Sequence, residues 1–114
     1  MHEFGLAETV VDAVRRRAAG RPVRHVRLRA GIRHAIDGSS MAQAFAMLAE
    51  GTEAEGATLD LVTVPARLGC RSCGGSAPTF DVLARCPACD ADVVDIVGGD
   101  ELVLESLTYA AGRS

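Results

Sequence analysis

Four cysteines, Cys70, Cys73, Cys86 and Cys89, fall as C-x2-C-x12-C-x2-C, and the chain has no fifth. Each Cys-x-x-Cys turn puts two thiolates on one side of a tight loop, and two such loops facing each other close a tetrahedron around Zn(II). Gly74-Gly75 follows Cys73, which meets the demand of such a loop for positive φ just past its second cysteine, where amides must turn toward sulfur. Asp90 stands after Cys89 and fits less well, although Asp tolerates the left-handed region better than most residues. Four thiolates leave no open position, so the expected role of this zinc is structural. A tetrathiolate iron centre and a redox dithiol pair are the competing readings. The first normally sits in an aromatic-lined core, and the second needs only one pair at a helix start.

The second place where chemistry concentrates is the beginning of the chain, Met1-His2-Glu3. Methionine before a bulky residue is normally retained, so Met1 is expected to present a free α-amine. That amine, the deprotonated amide nitrogen of His2 and the His2 imidazole Nδ1 form fused five- and six-membered chelate rings in one plane. Ni(II) and Cu(II) prefer such a planar, nitrogen-rich donor set. The Glu3 amide or an outside ligand can take the fourth place, with the Glu3 carboxylate available axially. A site open at one or more positions lets metal enter and leave, as a carrier requires. His25 and His34 are read as exposed residues at a strand's start and just past its end; either could complete the nickel site if the sheet edge lies near the N-terminus.

The elements that must position these groups follow from periodicity. Leu6, Val10, Val14 and Ala18 recur four apart within residues 5–19, which predicts an amphipathic helix ended by Gly20-Arg21-Pro22. Val26, Leu28, Ala30 and Ile32 alternate with Arg27, Arg29, Gly31 and Arg33, the period of a half-buried strand. Asp37-Gly38 marks a turn. Ser40 with Gln43 reads as a capping box opening a second helix through Met41, Ala44, Phe45 and Leu48 to Gly51. Leu59–Val64 reads as a strand stopped by Pro65, and Glu101–Tyr109 as a closing strand with imperfect alternation. The cysteines lie between these two strands. The chain is therefore expected to be α+β: a small two-helix domain on a three-stranded mixed sheet, residues 1–66 plus 98–114, with an inserted zinc-ribbon module, residues 67–97, and the last strand returning to the first domain's sheet.

Composition narrows the functions. With 114 residues and 48% hydrophobic residues the chain can bury a core. It offers neither a signal-peptide pattern at its start nor an apolar run long enough to span a membrane, so a soluble cytoplasmic protein is expected. In a reducing compartment four thiols are metal ligands rather than two disulfides. Arg15, Arg16, Arg17, Arg21, Arg24, Arg27, Arg29 and Arg33 fall in a stretch without one Asp or Glu, although the net charge is −3. The helix dipole and a solvated strand face account for most of them; a docking patch for an acidic partner or nucleic acid is the functional alternative. One Tyr, three Phe and no Trp leave little for base stacking, so nucleic acid is not expected. No nucleophile–base–orienter set and no Gly-rich phosphate loop is visible, which argues against an enzyme.

Taken together, Met1-His2-Glu3 before an amphipathic helix, the alternating strand with Gly31, a second helix ending near Gly51-Thr52 with Glu55-Gly56-Ala57 and Leu59 after it, paired knuckles including Cys86-Pro87-x-Cys89, and Gly99-x-Glu101-Leu102 resemble the HypA/HybF family of hydrogenase-maturation nickel metallochaperones. The resemblance covers essentially the whole chain. It implies Ni(II) held by Met1, His2 and Glu3, structural Zn(II) held by Cys70, Cys73, Cys86 and Cys89, and a non-enzymatic protein. It also implies a nickel-handling GTPase as partner and the large subunit of [NiFe]-hydrogenase as client, with urease as a further client in some organisms. Asp90 departs from the family's common Gly, and Asp100 from a common basic residue before the Glu-Leu pair. The alternative is a zinc-ribbon module that binds a protein or nucleic acid and in which His2 is accidental.

Overall fold

The computed structural model describes residues 2–111. Its elements are helix α1 (His2–Ala18), strand β1 (Val23–Gly31), a 3-10 turn (Ile32–His34), helix α2 (Gly38–Ala49) and strands β2 (Thr58–Val64), β3 (Ala66–Cys70), β4 (Ser76–Thr79), β5 (Val94–Val97) and β6 (Leu102–Tyr109). They form two three-stranded sheets, ordered β2-β1-β6 and β4-β3-β5, and the first is mixed. The chain divides into two compact units, residues 1–28 with 36–62 and 103–114, and residues 29–35 with 63–102.

In the first unit α1 starts three residues earlier than its apolar stripe predicts, because Glu3 in the first turn and Arg15, Arg16 and Arg17 in the last both suit the helix dipole. Of the stripe, Val10, Val14 and Ala18 are buried as expected and Leu6 is only half-buried; Ala7 and Val11 join the buried face, as do Met41, Ala44, Phe45 and Ala49 of α2. Val23, Val26 and Leu28 of β1 complete this core. β6 pairs with β1, so the last strand does return to the first sheet. Its alternation fails where Glu105 and Ser106 are both exposed, which is why its parity reads poorly in the sequence.

The start of α2 corrects the capping-box reading. Asp37, not Ser40, is the N-cap, and its Oδ2 accepts from the Ser40 amide at 3.2 Å and from the Ser40 hydroxyl at 2.6 Å. An aspartate three residues before a serine can satisfy a first-turn amide itself, so the helix begins at the turn dipeptide rather than after it.

The second unit corrects the end of the first strand. β1 stops at Gly31, and Ile32–His34 turn into the 3-10 segment instead of continuing the alternation. The cause is a close crossing. Gly31 N–H donates to Glu101 O at 2.8 Å and Arg33 N–H to Gly99 O at 2.7 Å, while Arg33 Nε and Nη2 donate to Gly98 O and Ile96 O at 2.7 and 2.6 Å. A Cβ on Gly31 would lie 2.1 Å from the Gly99 carbonyl, so only glycine fits there. Within this unit β3 pairs antiparallel with both β4 and β5, Leu68 facing Ala77 on one side and Ile96 on the other.

Candidate metal centres

The ribbon's two loops are built alike, residue for residue. Cys70 N–H donates to Gly75 O and Cys86 N–H to Ala91 O, both at 2.9 Å; Gly74 N–H returns to Cys70 O at 3.0 Å and Asp90 N–H to Cys86 O at 2.8 Å. Gly74 and Asp90 occupy equivalent places with φ of 76° and 63°. The aspartate therefore adopts the left-handed conformation that its type only tolerates. Arg85 braces it, with Nη2 donating to Asp90 O at 2.8 Å and Nε 3.2 Å from Oδ1.

These turns aim amides at sulfur. Ser72 and Cys73 N–H donate to Cys70 Sγ, and Gly75 N–H donates to Cys73 Sγ, each at 3.4 Å. In the second loop the amides of Cys89 and Ala88 pull the Cys86 thiol down to about 7, outweighing burial, which acts the other way. Cys70 is lowered too, first by the Cys73 amide. Cys89 behaves oppositely: the Ala91 amide favours its anion, but burial and the crowding thiols Cys70, Cys73 and Cys86 push it up to about 12. Negative charge settles on the buried sulfurs to which backbone amides donate, Cys86 and Cys70, while Cys89 keeps its proton, as interacting titrating groups do. A divalent cation removes that conflict by displacing the protons.

Geometry tests the fit. None of the four cysteines is in a disulfide. Cys70 Sγ lies 3.7 Å from Cys89 Sγ and Cys73 Sγ 3.6 Å from Cys86 Sγ, and all four sulfurs fall within 4.8 Å of one another. Zn–S bonds of about 2.3 Å put tetrahedral sulfurs about 3.8 Å apart. The cluster matches that size.

At the other candidate centre, the structure describes His2 and Glu3, while Met1 and hence the expected amine lie outside the described residues. His2 is exposed and begins α1. Its Nδ1 lies 3.5 Å from Glu3 Oε1. Glu3 Oε2 accepts from Asp37 N–H at 2.9 Å, and this amide is the main reason the carboxyl sits below its ordinary value. Asp37 is thus the residue that the sequence reading missed: Asp37-Gly38 signalled a turn, and nothing in its spacing from Glu3 signalled contact.

The remaining histidines are both half-buried rather than exposed. His25 lies on β1, the central strand of its sheet, with Nε2 3.9 Å from Asp60 Oδ2 of β2. His34 Nε2 is 3.0 Å from Asp100 O in the second unit. Among the described residues, the four cysteines form the only group of three or more His, Cys, Asp or Glu spaced to hold a metal ion.

A two-helix α+β unit and a four-thiol ribbon in one short chain define a small metal-handling protein of the zinc-ribbon type. The family model described as "Hydrogenase/urease nickel incorporation, metallochaperone, hypA" matches residues 1–109. The chain belongs to this HypA family. Relatives named hydrogenase maturation factor HypA include those of Chlorobium limicola, 36% identical over 116 residues and covering 98% of this chain and 99% of the relative, and of Rippkaea orientalis, 33% identical and covering 94% of each. Among solved structures, a HypA solution structure matches with a TM-score of 0.64 at 26% identity over 98% of both chains. The nickel metallochaperone HypA of Helicobacter pylori matches with 0.61 at 23% identity over 96% and 98%, a likeness of fold.

Proposed function

We propose that the chain is a nickel carrier for maturation of [NiFe]-hydrogenase, loading Ni(II) at its first residues and releasing it, with a GTPase partner, to the enzyme's large subunit. The observation that carries this reading is that the family match begins at residue 1 and so includes Met1-His2-Glu3. Nickel is cargo here. Its donors are the Met1 amine, the His2 amide nitrogen and His2 Nδ1, with Glu3 beside them. The donor set suits a planar Ni(II) complex.

Zn(II) is the resident metal, held by Cys70, Cys73, Cys86 and Cys89, and the tetrahedral size of the thiol cluster supports it. When bound, zinc supplies charge neutralisation and cross-linking, and no substrate chemistry, because its corners are filled. The functional modules are residues 1–66 with 98–114 for nickel and 67–97 for zinc, and the protein works in the cytoplasm as a carrier and not as an enzyme.

The experiment is calorimetric nickel titration of tag-free protein against His2→Ala and against a chain extended at its N-terminus. Nickel binding disappears in both, while zinc stays at one per chain. Undiminished nickel affinity in either would overturn the N-terminal site, and absence of nickel binding by the parent protein would leave a zinc-ribbon interaction module as the function.

A further inference from the structure

The structure sorts the arginines between residues 15 and 33 into those with partners and those without. Arg15 donates to Glu53 Oε1 at 3.1 Å, Arg27 to Glu105 Oε1 at 3.0 Å, and Arg33 to two backbone carbonyls. The Arg21 guanidinium lies 3.8 Å from the centre of the Tyr109 ring. Arg16, Arg17, Arg24 and Arg29 make no ion pair and no side-chain hydrogen bond among the described residues, Arg29 Nε being buried without a partner; Arg16 and Arg17 lie at the exposed end of α1. These two line, with Ala13 and Leu104, a groove of about 430 Å³.

This groove is a shallow depression open to solvent. Its floor is apolar, and Ala13 and Leu104 are half-buried. Its basic walls belong to the last turns of α1, which are pinned to β6 by the Tyr109 hydroxyl donating to Arg17 O at 3.4 Å and by Arg21 lying over that ring. The helix dipole accounts for cations in a last turn. It does not account for two unpaired guanidinium groups flanking an apolar trough in a chain whose net charge is −3.

We propose that this groove docks an acidic segment of a partner protein, with one aliphatic side chain on Ala13 and Leu104 and flanking carboxylates on Arg16 and Arg17. Guanidinium groups match carboxylates in paired hydrogen bonds, and a trough of a few hundred Å³ accommodates a single side chain with its neighbours. A nucleic acid phosphate would use the arginines but not the apolar floor, and the nearby Tyr109 ring is already covered by Arg21. The inference goes beyond the nickel reading and does not depend on it.

The test is fluorescence anisotropy of a fluorescein-labelled peptide, Asp-Glu-Leu-Glu-Asp, with the zinc-loaded full chain at low salt. Saturable binding is expected, weakened about tenfold or more by Arg16→Glu with Arg17→Glu, by Ala13→Glu, and by glycine in place of the peptide's leucine. Nickel and zinc stoichiometry should be unchanged in these variants, which separates this site from the metal centres. Absence of saturable binding overturns the proposal, as does equal binding of the glycine peptide or of a short DNA duplex, either of which marks a mere charge patch. A dimer that dissociates on the double substitution also overturns it, by showing that a second copy covers the groove.

Discussion

Glu3 and Asp37, 34 positions apart, are joined by a hydrogen bond from the Asp37 amide to Glu3 Oε2 at 2.9 Å. The same Asp37 caps α2 through its own carboxylate. The beginning of α1 is thereby fixed to the beginning of α2. Beside the proposed nickel donors stands a carboxylate that is ionised and held in one orientation, with Oε1 toward His2 Nδ1.

Glu3→Gln tests what that carboxylate contributes. The amide side chain can still accept from Asp37, so the helix start survives, but the negative charge near the cation is gone. Nickel affinity should fall about 10- to 100-fold, the range seen when a supporting group around a metal is lost. Calorimetry measures it, and an unchanged dissociation constant would remove Glu3 from the nickel site while leaving His2 untouched.

Gly31→Ala should be among the most damaging single substitutions in the second unit. Its Cβ would lie 2.1 Å from Gly99 C and O and 2.6 Å from Glu101 Oε1, and two of those atoms are backbone that cannot rotate away. Destabilisation of about 3 kcal/mol is expected for forced overpacking of this kind. Thermal unfolding with metal analysis checks it; a melting temperature equal to that of the parent protein would contradict the close crossing.

The contrast between Gly31 and Val26 shows what the sequence could and could not disclose. Val26, Leu28 and Ala30 alternate, and they are buried, because a strand's period writes itself into neighbouring residues. Gly31 ends the strand for a reason 68 positions away at Gly99, where no local signal reaches. The two helices, β2 and β6 were legible for the same reason as β1. Strands β3 to β5 were not, since a four-residue strand such as Ser76-Ala77-Pro78-Thr79 has no strand propensity of its own and exists through its ladder to β3. The cysteine spacing disclosed the cluster; the equivalence of Gly74 and Asp90 was half-visible, and the Arg85 brace was not visible at all.

Acid should weaken the first unit partly through Glu53. Its carboxyl sits below the ordinary value of 4.5, through its own backbone amide first and the Arg15 guanidinium second. A carboxyl depressed in the folded state contributes stability above its unfolded pKa and loses it as pH falls through the folded value. The contribution is therefore full at neutral pH, starts to decline as pH falls toward the ordinary value of 4.5 and is gone only below the lowered folded value. Glu53→Gln should lower the melting temperature at pH 7 and flatten its decline on acidification. Parallel melting curves for the two proteins from pH 7 to pH 3 would rule this out.

Removal of zinc should unravel the ribbon while sparing the helices. Between residues 66 and 97 the buried hydrophobic residues are Ala66, Leu68, Cys70 and Cys86; two of these four are members of the thiol cluster, so the segment has almost no core apart from it. Such a module cannot offset its own conformational entropy without a cross-link. α1 and α2, by contrast, keep Val14, Met41 and Phe45 buried in the first unit, independently of any thiol. On chelation, amide hydrogen exchange should accelerate across β3, β4 and β5 and stay slow in the middle of α1 and α2. Cys86→Ser should reproduce that pattern with zinc content well below one per chain, because three thiolates remain and the lowered thiol is lost. Exchange that rises equally in the helices would mean that the zinc cluster stabilises the whole chain, and that the ribbon is not a separately unfolding unit.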